Sequence, residues 1–424
     1  MPQKPSLKTM FSPLTLPCGL KVKNRIAKAS MTEGVADVDD NPTKRLNRLY
    51  ATWAKGGAGI LLTGNVMIDR RYLERAGNVV VDEKTDLEAL SAWAAAGKKN
   101  GSKIFMQISH PGRQCTRLVN SSPVAPSEVQ LNIASLFAKP RALADDEIED
   151  IIKRWAFVAK TAKDTGFSGV QIHSAHGYLC SQFLSPHTNR RTDKWGGSLE
   201  NRARFLMRLV DEVRAAVGDD YPVAVKLNSS DFQKGGFSDT DAATVAKWLA
   251  EKKIDLLEIS GGTYENVAFL DADDTRPNDR EAYFLEYAKL IRQAAPDLPL
   301  MVTGGFRTAA FMEETLASGQ VDIIGIARPF CFMPNFPNNL EDGDISELPK
   351  PEQKIKLGDG FWSHKSSSST MRGLNSQTGT AWFYEQIYRL ADGLTPETEP
   401  TDLKSVLVRH FMHDFKAARS RSAR

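Results

Sequence analysis

The sequence predicts a (β/α)8 barrel of the TIM class, with loop excursions and a C-terminal extension. Three observations carry this expectation. Short apolar stretches recur from residue 25 to residue 326, helical segments separate them, and the stretches number eight. Strands alternating with helices pair in parallel through right-handed crossovers, and eight is the count that closes a barrel. An open doubly wound sheet built from the same elements is the alternative topology.

Arg25-Ile-Ala-Lys-Ala-Ser-Met reads as the first strand, and Leu46, Leu49, Tyr50 and Trp53 give the following segment, 43–55, a helical period. Gly56-Gly-Ala-Gly then opens a second strand at 60–63. These glycines follow a helix and precede a strand, the reverse of the order a dinucleotide-binding turn needs, so they read as a helix stop. A helix over 86–99 carries Leu87, Leu90, Trp93 and Ala94, and a third strand covers 103–110. After an excursion at 111–140, Ile148, Ile151, Ile152, Trp155, Ala156 and Ala159 mark one face of a helix.

The fourth strand is Gly169-Val-Gln-Ile, and its helix, 198–217, sets Leu199, Ala203, Leu206, Val210, Val213 and Val217 on one stripe. Strand five is 223–227. Its helix starts near Ser238, with Asp241 three residues on as in a capping box, and includes Val245, Trp248 and Leu249. Strands at 254–259, 300–305 and 321–326 complete the set, with helices at 283–294 and 309–317 between them.

After Pro337 the regularity ends, which assigns 1–337 to the barrel and 338–424 to the extension. The serine run at 366–369 reads as a loop. The aromatic segment 381–388 reads as a helix that completes the barrel as its eighth or covers a subunit interface, so a homo-oligomer is one expectation. The final stretch, with Arg409, Lys416, Arg419, Arg421 and Arg424, reads as a solvated, frayed end.

Lys+Arg 55 against Asp+Glu 52 is too balanced to make nucleic acid or a membrane surface the main partner, which points to a small-molecule ligand. Cys18, Cys115, Cys180 and Cys331 are widely spaced, with no CxxC pair, and read as free thiols of a reducing compartment. Prolines instead of an apolar core in the first residues, and no long apolar run anywhere, predict a soluble cytoplasmic protein.

Chemistry concentrates where the fourth strand ends. His173, His176 and Tyr178 fall within six residues, with Gly177 to bend the chain. Neutral imidazoles can donate N–H bonds to one oxygen and a phenol can yield a proton, a set suited to polarising a carbonyl and protonating carbon. Each alone is also an ordinary polar residue at a strand end. His173, His176, Cys180 and His187 have ligand-capable atoms, so zinc is a competing use. Lys226, inside an apolar strand, requires either the barrel mouth or an anionic partner.

From His176 the chain runs HGYLCSQFLSPHTNRRTDKWGGSLENR. With His173 before it, this stretch resembles the Old Yellow Enzyme family of flavin-dependent ene-reductases, and the resemblance extends over about residues 11–337. It implies non-covalent FMN, NADPH or NADH as electron donor, and activated alkenes as substrates. His173 and His176 would bind the substrate's carbonyl or nitro oxygen, and Tyr178 would protonate its α-carbon.

The resemblance also implies the flavin contacts. Ala29, Ser30, Met31 and Thr32 would lie against the ring, with Gly64 beside its carbonyl, Gln107 on the pyrimidine and Lys226 at the N1/C2 edge. Gly304, Gly305, Ala327 and Arg328 stand where barrels of this kind hold phosphate. Ala327 replaces the family's usual glycine, Gly325 being a second source of backbone freedom, and Ser30 stands where many relatives have proline. No glycine-rich nicotinamide fingerprint appears, so donor and alkene would use one flavin face in ping-pong turnover. A Schiff-base lyase working through Lys226, and a flavin- or ligand-binding barrel without turnover, are the alternative functions.

Overall fold

Eight parallel strands close on themselves in the computed structural model, which describes residues 7–133, 136–231, 233–260, 277–363 and 366–422. They are β1 (Ile26–Lys28), β2 (Ile60–Met67), β3 (Lys103–Ser109), β4 (Gly169–Ser174), β5 (Val223–Asn228), β6 (Leu256–Ser260), β7 (Leu300–Thr303) and β8 (Ile323–Ile326). Each pairs with its successor in sequence, and the Ile324–Ile26 register joins β8 to β1. The open sheet is thereby excluded. β2 runs four residues beyond the expected 60–63, because Asn65, Val66 and Met67 resume pairing with Gln107, Ile108 and Ser109 after a register shift.

The helices between the strands are α1 (Lys44–Lys55), α2 (Leu87–Gly97), α3 (Asp145–Asp164), α4 (Leu199–Val217), α5 (Asp239–Glu251), α6 (Pro277–Ala294) and α7 (Ala309–Ala317). Ser238 accepts from the Asp241 N–H at the start of α5, as its sequence implied. Helices cover the outward side chains of the strands, so Leu61, Ile104, Val170, Val225, Leu257, Val302 and Ile324 join Leu49, Trp53, Trp93 and Trp155 in one core.

Because strand side chains alternate, the inward positions form layers. The lowest is apolar: Ala27, Ile60, Leu62, Phe105, Ala224, Leu256, Met301 and Ile323, with Leu16 and Val22 of an N-terminal hairpin packed into the same cluster. Two residues further along the strands come Gln107, Gln171, Lys226, Glu258 and Thr303, and two further still His173, Asn228 and Ser260. The sequence thus places polar atoms inside the barrel only toward the C-terminal ends of its strands.

Beyond the barrel, α8 (Ser369–Asp392) packs along α1, and α9 (Leu403–Ser422) packs on α8. Ser368 caps α8, so the serine run is a loop only as far as its last member. Arg45 clasps Asp392 at 2.7 Å and Arg48 donates to the Ala391 carbonyl at 2.8 Å. Trp382, fully buried, packs with Phe332, Ile355 and Val406. Of the basic C-terminal residues, Arg409, Lys416 and Arg419 are exposed as expected and Arg424 lies outside the described residues, but the stretch is helical and anchored instead of frayed: α9 sends Arg421 onto Asp40 at 3.0 Å and pairs Asp414 with Arg75. Asp40 and Arg75, both buried on the barrel loops, anchor Arg421 and Asp414. No helix among the described residues is long and apolar enough to cross a membrane.

The packing makes the extension part of the barrel's folding unit. Trp382→Ala should therefore destabilise the whole protein by about 3–5 kcal/mol, the cost of emptying a large aromatic site. Denaturant unfolding followed by tryptophan fluorescence and by circular dichroism should shift together, and an unshifted barrel transition would contradict the packing.

Candidate active site

The middle inward layer is a continuous belt of hydrogen bonds. Ser30 Oγ donates to Gln107 Oε1 at 2.8 Å, Gln107 Nε2 to Gln171 Oε1 at 2.8 Å, and Gln171 Nε2 to Glu258 Oε2 at 2.8 Å. The other oxygen of Glu258 receives Thr303 Oγ1 at 2.7 Å and the Lys226 ammonium at 2.9 Å. Both charged residues are buried, so each requires the other. Adjacent strand register brings them together: Lys226 stands opposite His173 on β4 and opposite Glu258 on β6.

The top layer holds the histidines. His173, buried at the end of β4, sets Nδ1 2.8 Å from Asn65 Oδ1, with Ser109 Oγ further off at 3.4 Å. His173 Nε2 lies 3.2 Å from His176 Nδ1, and His176 Nε2 lies 2.8 Å from Ser260 Oγ. The chain does leave the extended state after β4: His176 has φ 60°, and Asn228 Oδ1 receives its backbone N–H at 3.0 Å. This turn aims both rings into one space. The buried Tyr178 ring sits 4.7 Å from that of His173. Burial holds His173 well below the ordinary imidazole value, with His176 and Lys226 adding to the effect, and burial followed by Lys226 does the same for His176. Both rings are neutral.

A carboxylate that composition and spacing did not reveal stands behind them. Glu74 Oε2 receives Asn65 Nδ2 at 2.6 Å and Thr32 Oγ1 at 2.8 Å. Thr32, expected to lie against the flavin ring, thus has its hydroxyl on Glu74. Gly64 owes its identity to packing, since a Cβ there would lie 2.3 Å from Glu33 Oε2 and 2.6 Å from the Met31 carbonyl. Its N–H donates to Glu33 Oε1 at 2.9 Å. Behind it Lys28 is enclosed by the Leu62 carbonyl at 2.8 Å and the Trp53 ring at 4.4 Å, and burial pushes its ammonium down to about 8.

At the ends of β7 and β8, Gly304 and Gly305 have φ 131° and 78°. Ala327 is not among the residues with positive φ, so its N–H is available without strain. Gly325 does not supply backbone freedom, as expected of it; instead a Cβ there would lie 2.0 Å from Thr303 Oγ1. Arg328, half-exposed, pairs with Glu352 of the extension at 3.4 Å, and Arg307 pairs with the same carboxylate at 2.5 Å. Although burial raises Glu352, Arg328 and Arg307 outweigh it and hold the carboxyl below its usual range.

The structure therefore brings His173, His176 and Tyr178 together, joins Ser30, Gln107 and Lys226 through one belt, and puts Gly304-Gly305 and Arg328 in the loops that leave the paired strands β7 and β8. His187 lies apart, at the Lys234 carbonyl, and no metal-holding group of three His, Cys, Asp or Glu occurs among the described residues. Sequence reading missed Glu258, Glu74 and Asn65. The first had a signal, an acid within the apolar stretch Ile254-Asp-Leu-Leu-Glu-Ile one strand from a buried lysine. The other two lie in a loop and past a register shift, where period gives no facing.

Fold and site define a (β/α)8-barrel enzyme with its polar chemistry at the C-terminal ends of the strands. The chain belongs to the NADH:flavin oxidoreductase / NADH oxidase family, whose pattern matches residues 9–347, and it is a flavin-dependent oxidoreductase. It is 38% identical over 354 residues to the NADH-dependent flavin oxidoreductase iliE of Hypocrea jecorina, covering 77% of this chain and 88% of that protein. It is 34% identical to the NADH oxidase of Thermoanaerobacter brockii, over 78% of this chain but only 50% of that longer protein. Among solved structures it resembles an Old Yellow Enzyme homologue from Zymomonas mobilis, with TM-score 0.69, 28% identity, and 81% and 94% of the two chains covered. Morphinone reductase in complex with tetrahydroNAD gives TM-score 0.66 and 27% identity, over 81% and 93% of the chains.

The buried imidazoles make stability depend on pH. Burial lowers His110 from 6.5 to about 4, and its Nδ1 accepts the Gly112 N–H at 3.0 Å. In that window the unfolded chain binds a proton that the folded one refuses, so stability is full above 6.5 and falls as pH drops toward 4. His173 and His176 act in the same direction. His110→Gln should make this decline shallower in urea melts taken across the window, and an unchanged pH dependence would mean that His110 titrates alike in both states.

Proposed function

We propose that this protein is an FMN-dependent ene-reductase that takes hydride from NADH or NADPH and delivers it to the β-carbon of an activated alkene. The observation that carries the reading is the 3.2 Å meeting of His173 Nε2 and His176 Nδ1 beside Tyr178, above a buried cation. An oxygen received between the two rings has its electron density held there, which leaves the conjugated β-carbon electron-poor. Tyr178 then gives its phenolic proton to the α-carbon. NADH as the donor is favoured by the relatives described as NADH-dependent, and the four free thiols accord with the cytoplasm.

The residues fit FMN. Glycines at positive φ followed by a guanidinium suit its phosphate, and here Gly304, Gly305, Ala327 and Arg328 would hold it. Ala29, Ser30, Met31, Thr32 and Gly64 would bed the ring, with Gln107 and Lys226 on its pyrimidine edge. Bound FMN supplies the relay of hydride between nicotinamide and alkene. The two substrates would use the same opening in turn, which is ping-pong turnover. The lyase reading is disfavoured by the Lys226–Glu258 pair, since an ammonium clasped by a carboxylate is not the free amine that carbinolamine formation needs.

Two variants test the assignment. Arg328→Ala should weaken FMN retention by about 10–100-fold, the worth of a charge-assisted contact, and leave riboflavin binding nearly unchanged. Equal FMN affinity by fluorescence titration would remove the phosphate from this site. Tyr178→Phe should spare the NAD(P)H half-reaction and slow the enone half-reaction by about 10²–10⁴-fold, as loss of a positioned acid does. A nitroalkene should be affected less in stopped-flow experiments, because its adduct can take a proton from water after leaving, and equal slowing of both substrates would exclude Tyr178 as the proton donor.

A further inference from the structure

The last helix carries two apolar faces, and the fold uses only one of them. Toward the protein, α9 buries Val406 in the cluster of Trp382, sets His410 5.1 Å from the Tyr384 ring and stacks His413 on Tyr388 at 4.5 Å. One such face is what a surface helix needs. On its other side Val408, Phe411, Met412 and Phe415 follow at helical spacing, which puts them in a single stripe. They are 61%, 50%, 46% and 50% exposed. Single exposed apolar side chains are ordinary, whereas a row of four large ones marks a surface that meets something.

Charge indicates what that is. The other exposed residues of α9 are Lys404, Arg409, Lys416, Arg419 and Ser420, so every exposed charge on the helix is positive. Its one acid, Asp414, is turned to Arg75. Arg409 shares its charge with Glu385 at 3.2 Å and with Asp402, just before the helix, at 3.7 Å. The near-balanced total of the chain conceals this segregation. A second copy of the stripe is a poor occupant. Packed antiparallel about the midpoint between Phe411 and Met412, two copies bring Lys404 onto Arg419, and packed parallel each basic residue meets its own counterpart. An anionic bilayer suits both features, since its headgroups take the basic residues and its acyl boundary takes the apolar stripe.

We infer that α9 is a docking helix for anionic membrane surfaces, lying in the headgroup plane with Val408, Phe411, Met412 and Phe415 inserted. Such binding is peripheral, because the helix is too polar to cross a membrane. The far end of α9 meets the mouth of the barrel: Arg421 holds Asp40 in the loop after β1 and reaches the Arg70 carbonyl in the loop after β2. The excursion after β3 is tied to the same loop, Asn120 donating to the Arg71 carbonyl at 2.9 Å, and it exposes Leu118 and Leu136. Docked in this way, the helix holds the loops of the mouth beside the bilayer.

The test is co-sedimentation of the FMN-loaded full-length protein with vesicles of phosphatidylcholine, pure or mixed with phosphatidylserine. Wild type should bind the mixed vesicles at least about tenfold more tightly than the neutral ones and should be released by added salt. Lys416→Gln with Arg419→Gln should weaken that binding by about 25-fold, about fivefold for each charge removed. Phe411→Ser with Phe415→Ser should weaken it by about tenfold or more while flavin content and thermal unfolding stay as in wild type, because both side chains are exposed. No sedimentation with either vesicle would overturn the inference, and equal sedimentation with both would overturn the anionic surface as its partner. Binding that survives in the phenylalanine double variant would remove it from α9. A protein that ignores vesicles but is a dimer in sedimentation velocity, and a monomer in the double variant, would assign the stripe to a second copy instead.

Discussion

The rest of the site depends on one pairing inside the barrel, Lys226 with Glu258. A closed parallel barrel has no room to solvate an isolated charge below its mouth, so a lysine on β5 commits β6 to an acid in the facing register. The acid in turn fills its remaining acceptor sites from Gln171 and Thr303, and Gln171 passes the constraint to Gln107 and Ser30. One buried ion pair thereby orients side chains on six of the eight elements around the opening. It also supplies positive charge beneath the histidines, which helps keep both rings neutral.

Much of this was legible in the sequence because the barrel repeats one pattern. Short β-branched and aliphatic stretches followed by amphipathic helices gave the topology, and His173, His176, Tyr178 and Lys226 stood out because polar residues at the end of, or within, apolar strands need a reason. What escaped reading lacks a period. Glu74 and Arg75 sit in a loop, and their partners come from the loop after β1, from β2 and from two helices more than 300 residues away. Asn65 follows a register shift, which alternation cannot foresee. The C-terminal helix reads as a frayed tail because its basic residues are legible in the sequence, whereas the buried Asp40 that holds Arg421 and the Arg75 that holds Asp414 are not.

The histidine pair also shows why residue type underdetermines chemistry. Two neutral imidazoles can present two donors, two acceptors or one of each, and the choice is made by atoms a layer behind them. Behind His173 stand Asn65 and then Glu74, and beside His176 stands Ser260.

Glu74 and Arg75 are neighbours that face opposite ways. Glu74 reaches toward the histidines, whereas Arg75 lies over the Tyr384 ring at 4.2 Å, donates to Tyr388 at 3.2 Å and pairs with Asp414. A single peptide unit therefore separates the anchor of the extension from the carboxylate that orders the site. The two cannot drift apart independently: a sequence that remodels α8 or α9 must keep a seat for the guanidinium, or the loop that carries Glu74 loses its footing. Grafting this barrel onto another terminal segment would accordingly have to be designed from Arg75 outward, with the far end of the chain treated as part of the active-site wall.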